Sequence, residues 1–447
     1  MKKTIAILFM LVSAVLAETR PNIVFIFTDD WGWGDLSCHG HPYIKTPNID
    51  RLAKEGTDFH RFTVASGVCS PSRAAVMTGQ FPSRNNIPAH FATPKSNQER
   101  GMPDWLSLDA PYLAEILQQA GYRTAHYGKW HLSNEMITDS PSPGEYGYDD
   151  YGAFNCSGEQ MPWYQDSARA CKFIKESAKM KKPFFINVWM HEPHTPFHTI
   201  PKYEWRFRDL ERNHQIYASV LSHADDRVGE ILDTLDHLQL TENTLVIFSS
   251  DNGPAGGGRD KGTAQLKYDP ATGAGWGTAA SVGTTGGRDG RKRSLKEGGI
   301  GVPFLARWPK QIPAGNIDSE SLITAVDLLP TFCALAEAPL PEGFKPDGVN
   351  IIKVLKGEKM PSREKPIFWE GIGMKKENWA TVQGQWKLLA TKDLSEIQLY
   401  DIAKDFKEEN DLSKDQPEVA AKLLQSIKDW KKTLPKEPTG DVFSELR

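Results

Sequence analysis

Residues 21–30 read PNIVFIFTDD. Residues 23–27 are apolar without alternation, and two carboxylates, Asp29 and Asp30, end the run. A strand with one wet face alternates apolar and polar residues, whereas one covered on both faces does not. The stretch therefore predicts a central strand of a parallel sheet with acid at its carboxyl end. Residues 183–190 and 244–248 repeat the pattern, the second running on into Ser249-Ser250-Asp251-Asn252. Residues 124–127 predict a shorter strand. Helical signals lie between these runs. Pro47 precedes Ile49, Leu52 and Ala53, and Gly56 stops them. Residues 113–120 end at Gly121, and residues 217–238 carry Val220, Leu221, Ala224, Val228, Ile231, Leu232 and Leu235 on one face. Strands alternating with helices predict an α/β fold, a mostly parallel central sheet sandwiched by helices.

At 447 residues the chain has room for one large domain and a smaller one. Its net charge of −4 gives no general attraction to nucleic acid or acidic membrane. Lys2 and Lys3 precede an apolar run over residues 4–17 that is too short to span a bilayer. Residues 1–17 therefore read as a signal peptide, and the mature protein is expected to be exported, periplasmic or secreted, with no membrane anchor. Residues 18–350 are expected to form the catalytic domain and residues 351–447 a small C-terminal α+β subdomain. In the latter, residues 386–389 and 399–401 predict short strands and residues 417–434 a helix. Cys156 and Cys171 are close enough in sequence to pair, and no CxxC motif suggests zinc. Residues 253–288, rich in Gly, Ser and Thr, are expected at the rim of a site, with His90 and Trp105.

In open α/β sheets ligands bind beyond the carboxyl ends of the strands. Asp29, Asp30, Asp251 and Asn252 stand at two such ends, and four oxygen donors suit a hard divalent cation such as calcium or magnesium. Each pair can equally cap a turn. Cys69-Ser70-Pro71-Ser72-Arg73 opens a helical stretch in which Ser70 can cap and Pro71 suits the first turn. Residue 69 then meets the N–H dipoles of a helix start, with Arg73 one turn on, able to point back at it. A buried structural cysteine is the plain alternative. Residues 121–132 read GYRTAHYGKWHL. In an extended segment Lys129 and His131 point the same way, a cation beside a proton-transfer group.

The string CSPSR resembles the maturation signal of the type I, formylglycine-dependent sulfatases of the alkaline phosphatase superfamily. The Asp29-Asp30 and Asp251-Asn252-Gly253 ends, Gly128-Lys129-Trp130-His131-Leu132, His194 within the histidine-rich residues 191–198, and Lys292 five residues before Glu297-Gly298-Gly299 are similar to the family's other signatures. Trp31-Gly32-Trp33-Gly34-Asp35 and residues 46–50 are closest to the branch of N-acetylgalactosamine-6-sulfatase and arylsulfatase A. The resemblance implies an alkaline-phosphatase-like sandwich with a C-terminal antiparallel sheet and one helix. It implies that Cys69 is oxidised to Cα-formylglycine, whose hydrate is the nucleophile, by a formylglycine-generating or equivalent maturation enzyme. Calcium rather than magnesium would be held by Asp29, Asp30, Asp251, Asn252 and residue 69. Asp251 would help remove the nucleophile's proton. Lys129 and Lys292 would grip the sulfuryl oxygens, with Lys292 also touching residue 69. His194 would protonate the leaving oxygen and His131 would deprotonate the hydrate. The implied substrate is a sulfated carbohydrate. Relatives that hydrolyse phosphonate monoesters or phosphodiesters, or that only bind sulfated glycans, are the alternatives. Asn85-Asn86-Ile87, Gly301 and Lys296 depart from the family pattern around the pocket rim.

Overall fold

The computed structural model describes residues 20–155, 165–195, 197, 199–256, 281–372 and 377–447. The expected signal peptide, Cys156 and most of the Gly-rich stretch lie outside these residues. In chain order the strands are β1 (Asn22–Thr28), β2 (Thr57–Phe59), β3 (Phe62–Thr63), β4 (Arg123–Lys129), β5 (Asp150–Phe154), β6 (Phe184–Trp189), β7 (Thr244–Ser250), β8 (Phe304–Arg307), β9 (Asn316–Asp318), β10 (Ile323–Thr324), β11 (Ile367–Glu370), β12 (Trp379–Gln383), β13 (Trp386–Ala390) and β14 (Ile397–Asp401). The large sheet has the order β5-β4-β6-β1-β7-β8-β2-β9. From β5 to β7 every pairing is parallel. Strand β8 runs antiparallel to both β7 and β2.

Strand β1 is fully buried at the middle of this sheet. Ile23, Phe25 and Phe27 face one apolar core, while Val24 and Ile26 face the other. The two-sided burial explains the missing alternation, and each buried side chain contributes about 1.5–3 kcal/mol. The first core is closed by the helices Cys69–Thr78, Leu113–Gln119 and Leu328–Leu335. The second is closed by Pro47–Glu55, Asp166–Met180 and Arg212–His237. A second sheet, β11-β12-β13-β14, is antiparallel throughout. The helix Pro417–Lys432 packs on it, with Trp430 stacked on Phe368 at 4.6 Å between ring centroids.

The long helix begins at Arg212, five residues before the expected start at 217, because its first turn is polar and half-exposed and carries no apolar signal. The helix Asp166–Met180 and the short strands β2, β8 and β9 were not anticipated from the sequence. No helix of the described residues is long and apolar enough to cross a membrane.

Candidate active site

Strands β1 and β7 pair in parallel with Thr28 opposite Ser250, so the acidic residues that follow emerge side by side. Asp30 turns the chain with φ 65°, a left-handed conformation that Asp tolerates. Its N–H donates to Asp251 Oδ1 at 3.3 Å, and its Oδ1 accepts from Asn252 Nδ2 at 2.6 Å. The two strand ends therefore interlock through the side chains proposed for the metal.

The helix Cys69–Thr78 starts over these ends with every residue buried. Cys69 Sγ and carboxylate oxygens of Asp29 and Asp251 all lie within 4.8 Å of one another. Helix dipoles favour negative charge at that position. The helix is one residue longer at its start than the capping signal suggested. Val68 is its N-cap, and Ser70 lies inside it, with Oγ accepting from Phe91 N–H at 3.1 Å.

Lys129 ends β4. Its Nζ is ion-paired with Asp29 Oδ2 and lies 3.8 Å from Cys69 Sγ. Arg73 lies close enough to residue 69 for their charges to interact, while its hydrogen bonds go to other groups. Its Nε and Nη2 donate to Asp251 Oδ2 at 3.0 and 2.7 Å, and its Nη1 donates to the Lys129 carbonyl at 2.8 Å. The guanidinium packs against the Trp189 and Phe27 rings, 5.1 and 5.7 Å from their centroids. Arg73 thus braces two functional residues. Lys292 approaches from the other side, its Nζ 2.7 Å from Asp30 Oδ1.

His131 leaves the extended path on which the sequence reading placed it, with φ 48°. Lys129 and His131 are both buried at the centre but reach it from different backbone directions. His131 Nε2 lies 3.1 Å from the Phe91 carbonyl, which can only accept, so Nε2 carries the proton. Its Nδ1 is buried with no hydrogen-bond partner among the described residues, a lone pair available to a proton. Burial, then Lys129 and Arg73, lower the His131 pKa to about 3 and keep the ring neutral. His194 Nδ1 donates to the Thr195 carbonyl at 2.6 Å, leaving Nε2 3.8 Å from Asp30 Oδ2.

His191, outside the family match that points to His194, lies beside the same group of side chains. Ring nitrogens of His191 and His194 and an oxygen of Asp29 lie within 4.8 Å of one another. Behind them Arg227 pairs with Glu192 and, at 2.7 Å, with Asp166. Arg227 lies on the buried face of the long helix, and a charge within an apolar stripe was the available signal. Of the residues expected at the rim, His90 lies 6.3 Å from His131 between ring centroids. Trp105 does not belong there. It packs with Ile137 and Val442, and its Nε1 donates to the Asp441 carbonyl at 3.0 Å.

Three carboxylates confined this closely oppose one another. Burial works against Asp29, yet His194, Lys129 and Arg73 hold its pKa well below the usual range. Burial raises Asp30 against the pull of Lys292. Burial and the Asp29 charge raise Asp251 well above the usual range, against Arg73. Asp29 Oδ1 and Asn252 Oδ1 are buried without a hydrogen-bond partner among the described residues. Leaving such an oxygen unsatisfied costs about 1–3 kcal/mol. Unpartnered hard oxygen donors beside crowded carboxylates fit a calcium-type cation, which would satisfy the oxygens and favour ionisation of the acids.

The sulfatase family model matches residues 21–338, and a model for the C-terminal region of N-sulphoglucosamine sulphohydrolase matches residues 289–433. Rat (Rattus norvegicus) arylsulfatase G is 32% identical over 398 residues, covering 78% of this chain and 71% of the relative. The N-acetylgalactosamine-6-O-sulfatase of Bacteroides thetaiotaomicron is 28% identical, covering 92% of this chain and 93% of the relative. The crystal structure of Ps i-CgsB in complex with k-i-k-neocarrahexaose superposes with a TM-score of 0.79 at 26% identity, covering 95% of both chains.

Proposed function

The chain belongs to the sulfatase family and is a sulfuric ester hydrolase, and on that premise we propose that it removes sulfate from a sulfated carbohydrate. The nucleophile is residue 69 after oxidation of its cysteine to formylglycine. Asp29, Asp30, Asp251, Asn252 and residue 69 would hold calcium. The observation that carries this reading is the meeting of Cys69 Sγ, Asp29 and Asp251 within 4.8 Å, with Lys129 Nζ 3.8 Å from the sulfur. Calcium would supply positive charge to the nucleophile and to a sulfate oxygen. The hydrated aldehyde would offer two hydroxyls, one for attack and one for release.

The chain's own side chains do the rest. Lys129 and Lys292 bind the sulfuryl oxygens, where negative charge grows during transfer. The lone pair on His131 Nδ1 takes a proton, because the Phe91 carbonyl fixes the tautomer. His194, whose Nδ1–H is held by the Thr195 carbonyl, would take up a second proton on Nε2 beside Asp30 Oδ2, 3.8 Å away, and as the imidazolium pass it to the departing sugar oxygen. A sugar alkoxide leaves poorly, so this protonation carries much of the rate. Arg73 keeps Asp251 and the Lys129 backbone in register.

A carbohydrate substrate is supported by the relatives, among them a sulfatase named for N-acetylgalactosamine and a structure holding a neocarrahexaose. The charged, then apolar, start of the chain supports export. Sulfate release from defined sulfated oligosaccharides, set beside cleavage of a nitrophenyl phosphonate, tests the reading. We expect turnover of the sulfated saccharide, formylglycine at residue 69 by mass spectrometry, and little phosphonate cleavage. A purified, active enzyme carrying only cysteine at residue 69 would overturn the proposed nucleophile. Faster cleavage of the phosphonate would overturn the substrate class.

A further inference from the structure

Two strands away from the active centre, a second set of donors converges. The turn Ser37–His39 brings Cys38 and His39 against Asp58 of β2. Cys38 Sγ, a ring nitrogen of His39 and an oxygen of Asp58 all lie within 4.8 Å of one another. His60, one residue beyond the strand, puts its Nε2 3.2 Å from Asp58 Oδ2.

The hydrogen bonds at His39 force a choice. Its Nδ1 lies 2.6 Å from the Trp33 carbonyl, which can only accept, so Nδ1 carries the ring proton. A neutral ring then turns the lone pair of Nε2 towards Asp58 Oδ2, 2.8 Å away. Two acceptors at that distance require positive charge between or upon them. A second ring proton meets the requirement, and so does a metal ion. The rest of the cluster favours the metal. Asp58 is 4% exposed, and its Oδ1 has no hydrogen-bond partner among the described residues. The Nδ1–H to carbonyl bond is the outer-shell arrangement that orients histidines ligating through Nε2. The His39 ring is fixed by stacking on Trp33 at 3.8 Å, and the Arg288 guanidinium packs on the same Trp33 ring, also at 3.8 Å. Cys38 is exposed as a residue while its thiol is largely buried, and burial, then the Asp50 and Asp58 charges, raise its pKa, so a cation has to draw off the proton.

We propose that Cys38, His39 and Asp58, with His60 as a further nitrogen donor, form a second divalent-cation site that takes zinc. One sulfur, two imidazole nitrogens and one carboxylate match the tetrahedral preferences of zinc and differ in kind from the all-oxygen set at Asp29 and Asp251. The ion would clip the segment after β1 to the end of β2 and so steady Trp33 and Arg288, which lead towards Lys292. Binding displaces the thiol proton to solvent, so affinity falls as pH falls.

Cobalt is the probe, because a thiolate bound to it gives a charge-transfer band. The full-length protein is titrated with Co²⁺ in the presence of calcium, and zinc is then added. We expect one equivalent of cobalt with the band, displaced by zinc. The band should vanish in Cys38→Ser and persist in Cys69→Ala. His39→Gln should weaken zinc binding by about 100-fold. Cys38 is a surface residue, so its serine variant should fold. Absence of the band in the parent protein, or an unchanged band in Cys38→Ser, would overturn the site and leave His39 as an imidazolium paired with Asp58.

Discussion

Two buried charge clusters divide the work of this molecule. At the active centre three carboxylates, Asp29, Asp30 and Asp251, meet three cations, Lys129, Lys292 and Arg73. Where the C-terminal sheet meets the segment bearing Lys292, Lys387 of β13 lies 2.8 Å from Glu297 and 2.9 Å from Glu408. The Glu297 N–H also donates to Glu408 at 2.7 Å. Both clusters are buried and both mix acids with a lysine. They differ in what is left over. The first keeps oxygens of Asp29 and Asn252 without a hydrogen-bond partner, or a cation against them, among the described residues. In the second, Glu408 Oε1 also makes no hydrogen bond, but it lies 2.9 Å from the Lys387 ammonium, so its charge is answered within the cluster. A buried charge cluster with leftover acceptors is built to receive something, whereas one folded in upon itself fastens two parts together.

Replacement of residue 69, the proposed nucleophile, separates the clusters most sharply. Cys69→Ala should lower kcat/KM by about 10³-fold or more, with the fold retained by circular dichroism. Lys129→Met comes next. It strips Asp29 of its ammonium, and we expect about 10²-fold or more off kcat/KM together with about 3–5 kcal/mol off stability in denaturant melts. Removing divalent ions with a chelator should abolish sulfate release and lower Tm, and added calcium should restore both. At a hundredfold excess over Kd the ion would add about 2.7 kcal/mol.

The fastening cluster should respond differently. Lys387→Met leaves two buried glutamates facing each other. It should cost stability on the scale of Lys129→Met, about 3–5 kcal/mol, yet lower kcat/KM less than about 10-fold. An equally large loss of activity would erase the distinction drawn above. The smallest effect concerns pH. Burial, opposed by Lys387 and reinforced by Glu297, raises the Glu408 pKa from 4.5 to about 7. The folded state therefore holds a proton that the unfolded chain releases. That contribution is complete below 4.5 and is lost as pH rises through 7. Tm should decline between pH 4.5 and about pH 7, and Glu408→Gln should flatten the decline.

The central strands were legible because burial on both faces leaves residues 23–27 and 244–248 with no polar alternation. Strands β2, β8 and β9 have three or four residues, too few for a period to register. The helix Asp166–Met180 follows residues with no clear start signal, and its N-cap Gln165 makes no side-chain cap bond. At the site, motif strings picked out the side chains but not the backbone that aims them. Two residues of spacing placed Lys129 and His131 on one side of a strand, whereas the strand stops at Lys129 and His131 adopts a left-handed turn. Arg73, able from its place in the helix to point back at residue 69, gives its hydrogen bonds to the Asp251 carboxylate and the Lys129 carbonyl, which the motif did not foretell. Arg227 and His191 meet partners distant in sequence; a charge within an apolar helix face marked Arg227, whereas nothing local set His191 apart from the other histidines of its run.

The alignment of Thr28 with Ser250 sets where this protein can tolerate indels. Inserting or deleting one residue within β1 or β7 would swing every following side chain to the opposite side and carry one acidic pair away from the other. Length variation should therefore accumulate in the connections beyond Asn252 and be absent from the two strands themselves, a constraint that any grafting of new glycan-recognition loops onto this scaffold would have to respect.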